Sequence, residues 1–120
     1  MPQAAPWPSE IRLNKSKDEL SVTFDNGETH VLPAEMLRVM SPSAEVQGHS
    51  ADQRVTVGGK RKVKIKDLQP VGNYAVKIRF DDGHDTGLFS WGYLDQLGRE
   101  KDERWAEYLA ELKAKNLKRE

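Results

Sequence analysis

The sequence predicts an α+β fold: a small, mainly antiparallel β-sheet with helices packed on one face and a C-terminal amphipathic helix. Three observations carry this. Short runs with period-two alternation occupy the first two thirds of the chain, as in Leu20, Val22 and Phe24 against Ser21 and Thr23. Turn signals separate them, notably Asn26-Gly27, Gly58-Gly59 and Asp82-Gly83. Beyond Trp91 the apolar spacing becomes helical. Strands first and helices later favour α+β over a wound parallel sheet.

Met1–Pro8, with prolines at 2, 6 and 8, reads as an extended lead-in. Glu10–Asn14 is expected as a first strand, followed by the hairpin of Leu20–Phe24 and Glu28–Leu32 across Asp25-Asn26-Gly27. Pro33 suits the first turn of a short helix, Ala34–Met40, that stops before Pro42. Ser43–Gln53 is polar and aperiodic and reads as a loop. Val55–Ile65 is expected to form a second hairpin turning at Gly58–Lys60. Ala75–Phe80 is a further strand and Trp91–Leu97 a helix ending near Gly98. Lys101–Lys118 carries Trp105, Tyr108, Leu109 and Leu112 as one stripe, and its end beyond Leu112 is expected to dock loosely. The resulting divisions are a lead-in over 1–8, a domain over 9–98 and a helical extension over 99–120.

Composition removes several function classes. Leu, Ile, Val and Phe make up 26 of 120 residues, just above the roughly 20% at which disorder is the default. Formal net charge is zero, so no general attraction to nucleic acid or anionic membrane exists. The chain has no cysteine, which excludes disulfides, thiol catalysis and thiolate ligation of iron–sulfur clusters. No apolar run approaches spanning length, and the first eight residues lack the features of a signal peptide, so a cytoplasmic location is expected.

The chemistry-bearing residues concentrate in Asn73–Leu97. His84 lies among Asp82 and Asp85, just ahead of Trp91. Its position leaves two readings open. It secures the turn through a hydrogen bond, or it is an accessible ligand or proton handler oriented by Asp85. Asp81-Asp82-Gly83 lacks the spaced oxygen ligands of a calcium loop and reads as a turn. Lys62, Lys64 and Lys66 alternate with Val63 and Ile65, marking a solvated strand face without the interleaved aromatics of a nucleic-acid platform. Ser41 and Ser43 lack a nucleophile elbow. Arg38 offers a planar fork for a carboxylate, either Glu45 or an external anion.

The order and spacing of several motifs resemble one family. They are Leu37-Arg38, Ser41-Pro42-Ser43-Ala44-Glu45-Val46, Pro70-Val71-Gly72-Asn73-Tyr74, Phe80-Asp81-Asp82-Gly83-His84-Asp85-Thr86-Gly87, Ser90-Trp91 and Tyr93-Leu94. Over roughly Pro8 to Gly98 the chain resembles a small stand-alone bacterial member of the gamma-butyrobetaine hydroxylase N-terminal-like domain family. In the eukaryotic hydroxylases this domain precedes a 2-oxoglutarate-dependent iron oxygenase domain. There it holds a structural zinc through a Cys-x-Cys-x-x-Cys cluster and a later histidine. Those positions fall here on Ser41, Ser43, Val46 and His84. The resemblance therefore implies the fold but not the zinc, since only His84 retains a metal-ligating side chain. No motif for a facial-triad iron site opens at His30, His49 or His84, so neither catalysis nor a cofactor is expected; zinc and iron lack the ligand count. A related domain is fused to P-loop iron–sulfur scaffold proteins, which implies a role near cluster assembly. The expectation is a non-catalytic binding or adaptor domain with a protein partner, as monomer or weak homodimer. Its candidate surface joins Asp82, His84, Asp85, Trp91 and Arg38. Two alternatives stand beside it: a metal-binding protein using His84 with carboxylates, and an interaction module that dimerises through the C-terminal helix.

Overall fold

The computed structural model describes residues 7–47 and 55–120. The predicted lead-in and loop fall largely outside them, as does His49. The fold is α+β, with the strands divided between two three-stranded antiparallel sheets rather than joined in one. The first has the order β1 (Pro8–Leu13), β2 (Glu19–Phe24), β3 (Thr29–Pro33). Its core face pairs Leu20 with Leu32 and Val22 with His30. The Asn26-Gly27 turn forms as expected: Gly27 adopts φ +87°, and the Glu28 amide donates to Asn26 Oδ1 at 3.0 Å.

Pro33 caps α1 (Ala34–Val39), a short helix that buries Met36, Leu37 and Val39. Pro42 follows two residues after the Met40 C-cap. One helical turn, α2 (Ala44–Gln47), occupies the start of the segment read as loop; the Gln47 amide donates to the Ser43 carbonyl at 2.9 Å. A single turn is too short to leave a periodic signal.

The second hairpin expected over Val55–Ile65 does not form. β4 (Ile65–Val71) pairs instead with β5 (Ala75–Phe80), and β5 with β6 (Leu88–Ser90), a strand too short to show alternation. Val55 and Val57 find other partners. The Val55 amide donates to the Val46 carbonyl at 2.7 Å, and the Tyr108 hydroxyl donates to the Val57 carbonyl at 2.6 Å. Gly58-Gly59 is a seat for the C-terminus rather than a turn between strands. A Cβ on Gly58 would lie 2.8 Å from the Lys118 carbonyl oxygen, and the Gly59 amide donates to that same oxygen at 2.8 Å. The alternation of Lys62, Val63, Lys64, Ile65 and Lys66 still holds: the lysines are exposed and the two apolar residues buried.

Ser90 Oγ accepts from the Tyr93 amide at 3.1 Å and caps α3 (Trp91–Arg99), which packs across β3. Then α4 (Lys101–Ala114) buries Tyr108 and Leu112 in the core shared by both sheets. The segment beyond α4 corrects the expectation of a loose end. Asn116, at φ +56°, reverses the chain, and the Leu117 amide returns to the Leu112 carbonyl at 2.8 Å. Arg119 then grips buried Glu35 on α1 with both arms, Nε–Oε2 at 2.8 Å and Nη2–Oε1 at 2.6 Å. Its guanidinium lies 5.3 Å from the Trp105 ring centre. Apolar spacing cannot reveal an end held by a charged fork.

Candidate functional site

The turn after β5 is built as its residues demand. Gly83 takes φ +91°, the Phe80 amide donates to the His84 carbonyl at 3.0 Å, and Asp82 Oδ1 accepts from the His84 amide at 3.0 Å. Asp82 Oδ2 meets Arg38 Nε at 2.8 Å and Lys60 Nζ at 2.6 Å. Burial alone would raise the Asp82 carboxyl. The Lys60 ammonium, the His84 amide and the Arg38 guanidinium outweigh it and hold the group at about 2. Among the described residues the carboxylate that Arg38 meets is that of Asp82.

His84 is buried, 6% exposed, which overturns the expectation of an accessible imidazole. Its Nε2 lies 3.0 Å from Ser41 Oγ and 3.3 Å from Ser43 Oγ. The two hydroxyls also bond each other at 3.2 Å, and the Ser43 amide donates to Ser41 Oγ at 3.3 Å. Val46 is buried on α2. The fold thus gathers Ser41, Ser43 and His84, as their alignment implied, but the donors do not fit zinc. Two neutral hydroxyls are committed to one another and to the imidazole, and a valine offers no ligand atom. Nor is Ser41 a usable nucleophile beside its histidine. It is completely buried, and Gly87 approaches its Oγ so closely that a Cβ there would overlap it. The cluster is a hydrogen-bonded buttress joining the α1–α2 corner to the turn after β5.

The other predicted residues disperse. Asp85 is half-buried, next to His84 on the same turn. Trp91 donates its indole N–H to the Asn73 carbonyl at 2.9 Å, and its amide donates to the Tyr74 carbonyl at 3.1 Å. It therefore sits at the start of β5, roughly 17 Å along the strand from His84 at about 3.4 Å per residue. Arg38, Asp82 and His84 form one cluster, and Trp91 belongs to another end of the molecule.

Two features carried no sequence signal. One is a groove of about 560 Å³ beside α4, with Met40, Val57, Tyr93, Tyr108, Glu103 and Glu107 among its lining residues. The other joins Glu28 and His30 to Asp95 on α3, 65 positions beyond His30. Glu28 and His30 lie two apart in sequence, a spacing that points both to one face of a strand, but nothing in the sequence pairs them with Asp95.

The chain belongs to the family described as gamma-butyrobetaine hydroxylase-like, N-terminal, whose profile matches residues 11–95. No curated protein matches it. Two proteins with NMR solution structures are each 46% identical with TM-score 0.84; the alignments cover 98% and 99% of this chain and 92% and 89% of theirs. A crystal structure from Acidithiobacillus ferrooxidans, a protein of unknown function in the DUF971 family, is 38% identical with TM-score 0.63 over 76% of this chain and 91% of its own. No helix among the described residues is long and apolar enough to cross a membrane.

Proposed function

We propose that the protein is a non-catalytic binding domain whose protein partner seats in the groove beside α4. The observation that carries this reading is the contrast between the two places where chemistry or recognition might reside. The His84 cluster is closed and internally bonded, so it offers a substrate nothing. The groove presents a mainly polar lining, in which the exposed carboxylates of Glu103 and Glu107 stand beside Met40 and Val57. Glu103 and Glu107 are exposed and form no ion pair among the described residues. A basic segment with an apolar anchor complements that surface. Dimerisation through α4 is less well supported, because Tyr108 and Leu112 of its stripe are already spent in the core. The metal-binding alternative at His84 loses its donors, as described above. The link to iron–sulfur metabolism enters only as a partner class. A chain without cysteine would serve a cluster by holding the protein that ligates it.

A photo-crosslinking residue in place of Glu107, compared with one in place of Lys77 on the outer face of β5, tests the reading in the native cell. It predicts a discrete adduct from position 107 that disappears with Glu103→Lys. Adducts from position 77 alone would contradict it.

A further inference from the structure

From the cluster of Glu28, His30 and Asp95 we infer a binding site for a divalent transition-metal ion of the zinc class. The site stands apart from the groove and from the Ser41–Ser43–His84 cluster. His30 projects from the core face of β3, beside Val22, toward α3. Glu28 lies two residues earlier, at the mouth of the same strand. Asp95 comes down from α3 and is 7% exposed. Their ligand atoms all lie within 4.8 Å of one another. His30 Nε2 is 3.5 Å from Glu28 Oε2 and 3.4 Å from Asp95 Oδ1. Metal–ligand bonds of about 2.0–2.1 Å at tetrahedral angles place donor atoms about 3.3–3.4 Å apart, so both measured edges match. Glu28, half exposed, is free to close the third edge.

A second observation points to a ligand. His30 Nε2 and Asp95 Oδ1 are both buried, yet neither has a hydrogen-bond partner. They approach each other without satisfying each other, which costs free energy unless something stands between them. The surroundings hold these atoms in place. The ring of His30 rests on Gly98, where a Cβ would overlap it, and its other neighbour is Phe24, 5.9 Å away between ring centres. Arg99 Nε binds Asp95 Oδ2 at 2.9 Å and turns the other oxygen toward His30. One imidazole with two carboxylates selects a first-row ion such as zinc over calcium or magnesium, which prefer all-oxygen shells. Three protein ligands leave a coordination position for water.

The test uses the full chain after chelation and desalting, titrated with zinc chloride by calorimetry and with cobalt(II) chloride by visible absorption. One ion per chain is expected, with a cobalt spectrum of low-symmetry N/O coordination and a rise in melting temperature with zinc. Asp95→Asn keeps the side-chain shape and should weaken zinc binding more than about 100-fold, beyond what loss of an outer partner does. Glu28→Gln, at an exposed position, should weaken it as well and serves if Asp95→Asn does not fold. His84→Ala should leave the affinity unchanged. Absence of saturable binding, or binding unaltered in both carboxylate variants, would overturn the site and leave a simple His–carboxylate ion pair.

Discussion

His84 and His30 each pack between a strand-derived segment and a helix corner, and each cluster depends on a close-approaching glycine, Gly87 for one and Gly98 for the other. The difference lies in what meets Nε2. At His84 two serine hydroxyls approach within hydrogen-bonding distance, at 3.0 and 3.3 Å. At His30 two carboxylates stand slightly farther off, at 3.4 and 3.5 Å, and the nitrogen has no hydrogen-bond partner. Hydroxyls can rotate to donate or accept and so settle an imidazole of either tautomer. Carboxylates only accept, and they carry charge that invites a cation. The richer motif in the sequence therefore marks the quieter site.

The largest effect expected is that of His84→Ala. It removes a buried ring packed 6.1 Å from Phe80 and strips two buried hydroxyls of a partner, so the loss should be about 2–3 kcal/mol in chemical denaturation. A loss within a few tenths of a kcal/mol would return His84 to the class of surface groups. The glycines sharpen the contrast. Gly98→Ala drives a methyl into the ring carbons of His30, which have no room to rotate. Overpacking should cost about 2 kcal/mol even after the helix-propensity gain of up to about 1 kcal/mol. Gly87→Ala meets the Ser41 hydroxyl first, which can swing away at the expense of its bond to His84, and should cost about 1–2 kcal/mol. Melting of both variants, side by side, tests the order.

Removing residues 116–120 deletes the Arg119 fork on Glu35. The Glu35 hydrogen bonds raise the guanidinium's proton affinity, against the burial that lowers it. Because Arg119 is 38% exposed, the loss should fall near the lower end of about 1.5–3 kcal/mol for charge-assisted bonds. An unchanged denaturation midpoint would restore the loosely attached end that apolar spacing implied.

The smallest effect comes from acid. Asp82 is held at about 2 against an ordinary 3.8, so its contribution is present above pH 3.8 and lost as pH falls toward 2. It should amount to about 1–2 kcal/mol, and Asp82→Asn should flatten the stability profile between pH 4 and pH 2 by that amount.

Local rules in the sequence located the first hairpin, the Ala75–Phe80 strand, the Asp82-Gly83 turn and the helix from Trp91, because alternation, Asn-Gly and helical spacing are local signals. What failed was non-local. Gly58-Gly59 advertises a turn, but the C-terminal backbone needs the same absence of a side chain. The exposed-looking His84 lies under Ser41 and Ser43, 43 and 41 positions earlier, and flanking acids say nothing about such a roof. Arg38 was expected to meet Glu45 or an external anion, and the carboxylate it reaches, Asp82 on the far turn, is set by how α1 packs. Asp95, on a helix with Leu94 and Leu97, shows no sign in one dimension that it faces His30.

The most direct test of the contrast follows the side-chain nitrogens of all histidines by NMR as zinc chloride is added to the chelated protein. The His30 ring signals should shift and saturate at one equivalent while those of His84 stay in place. Movement of His84 with His30 unaffected would contradict it.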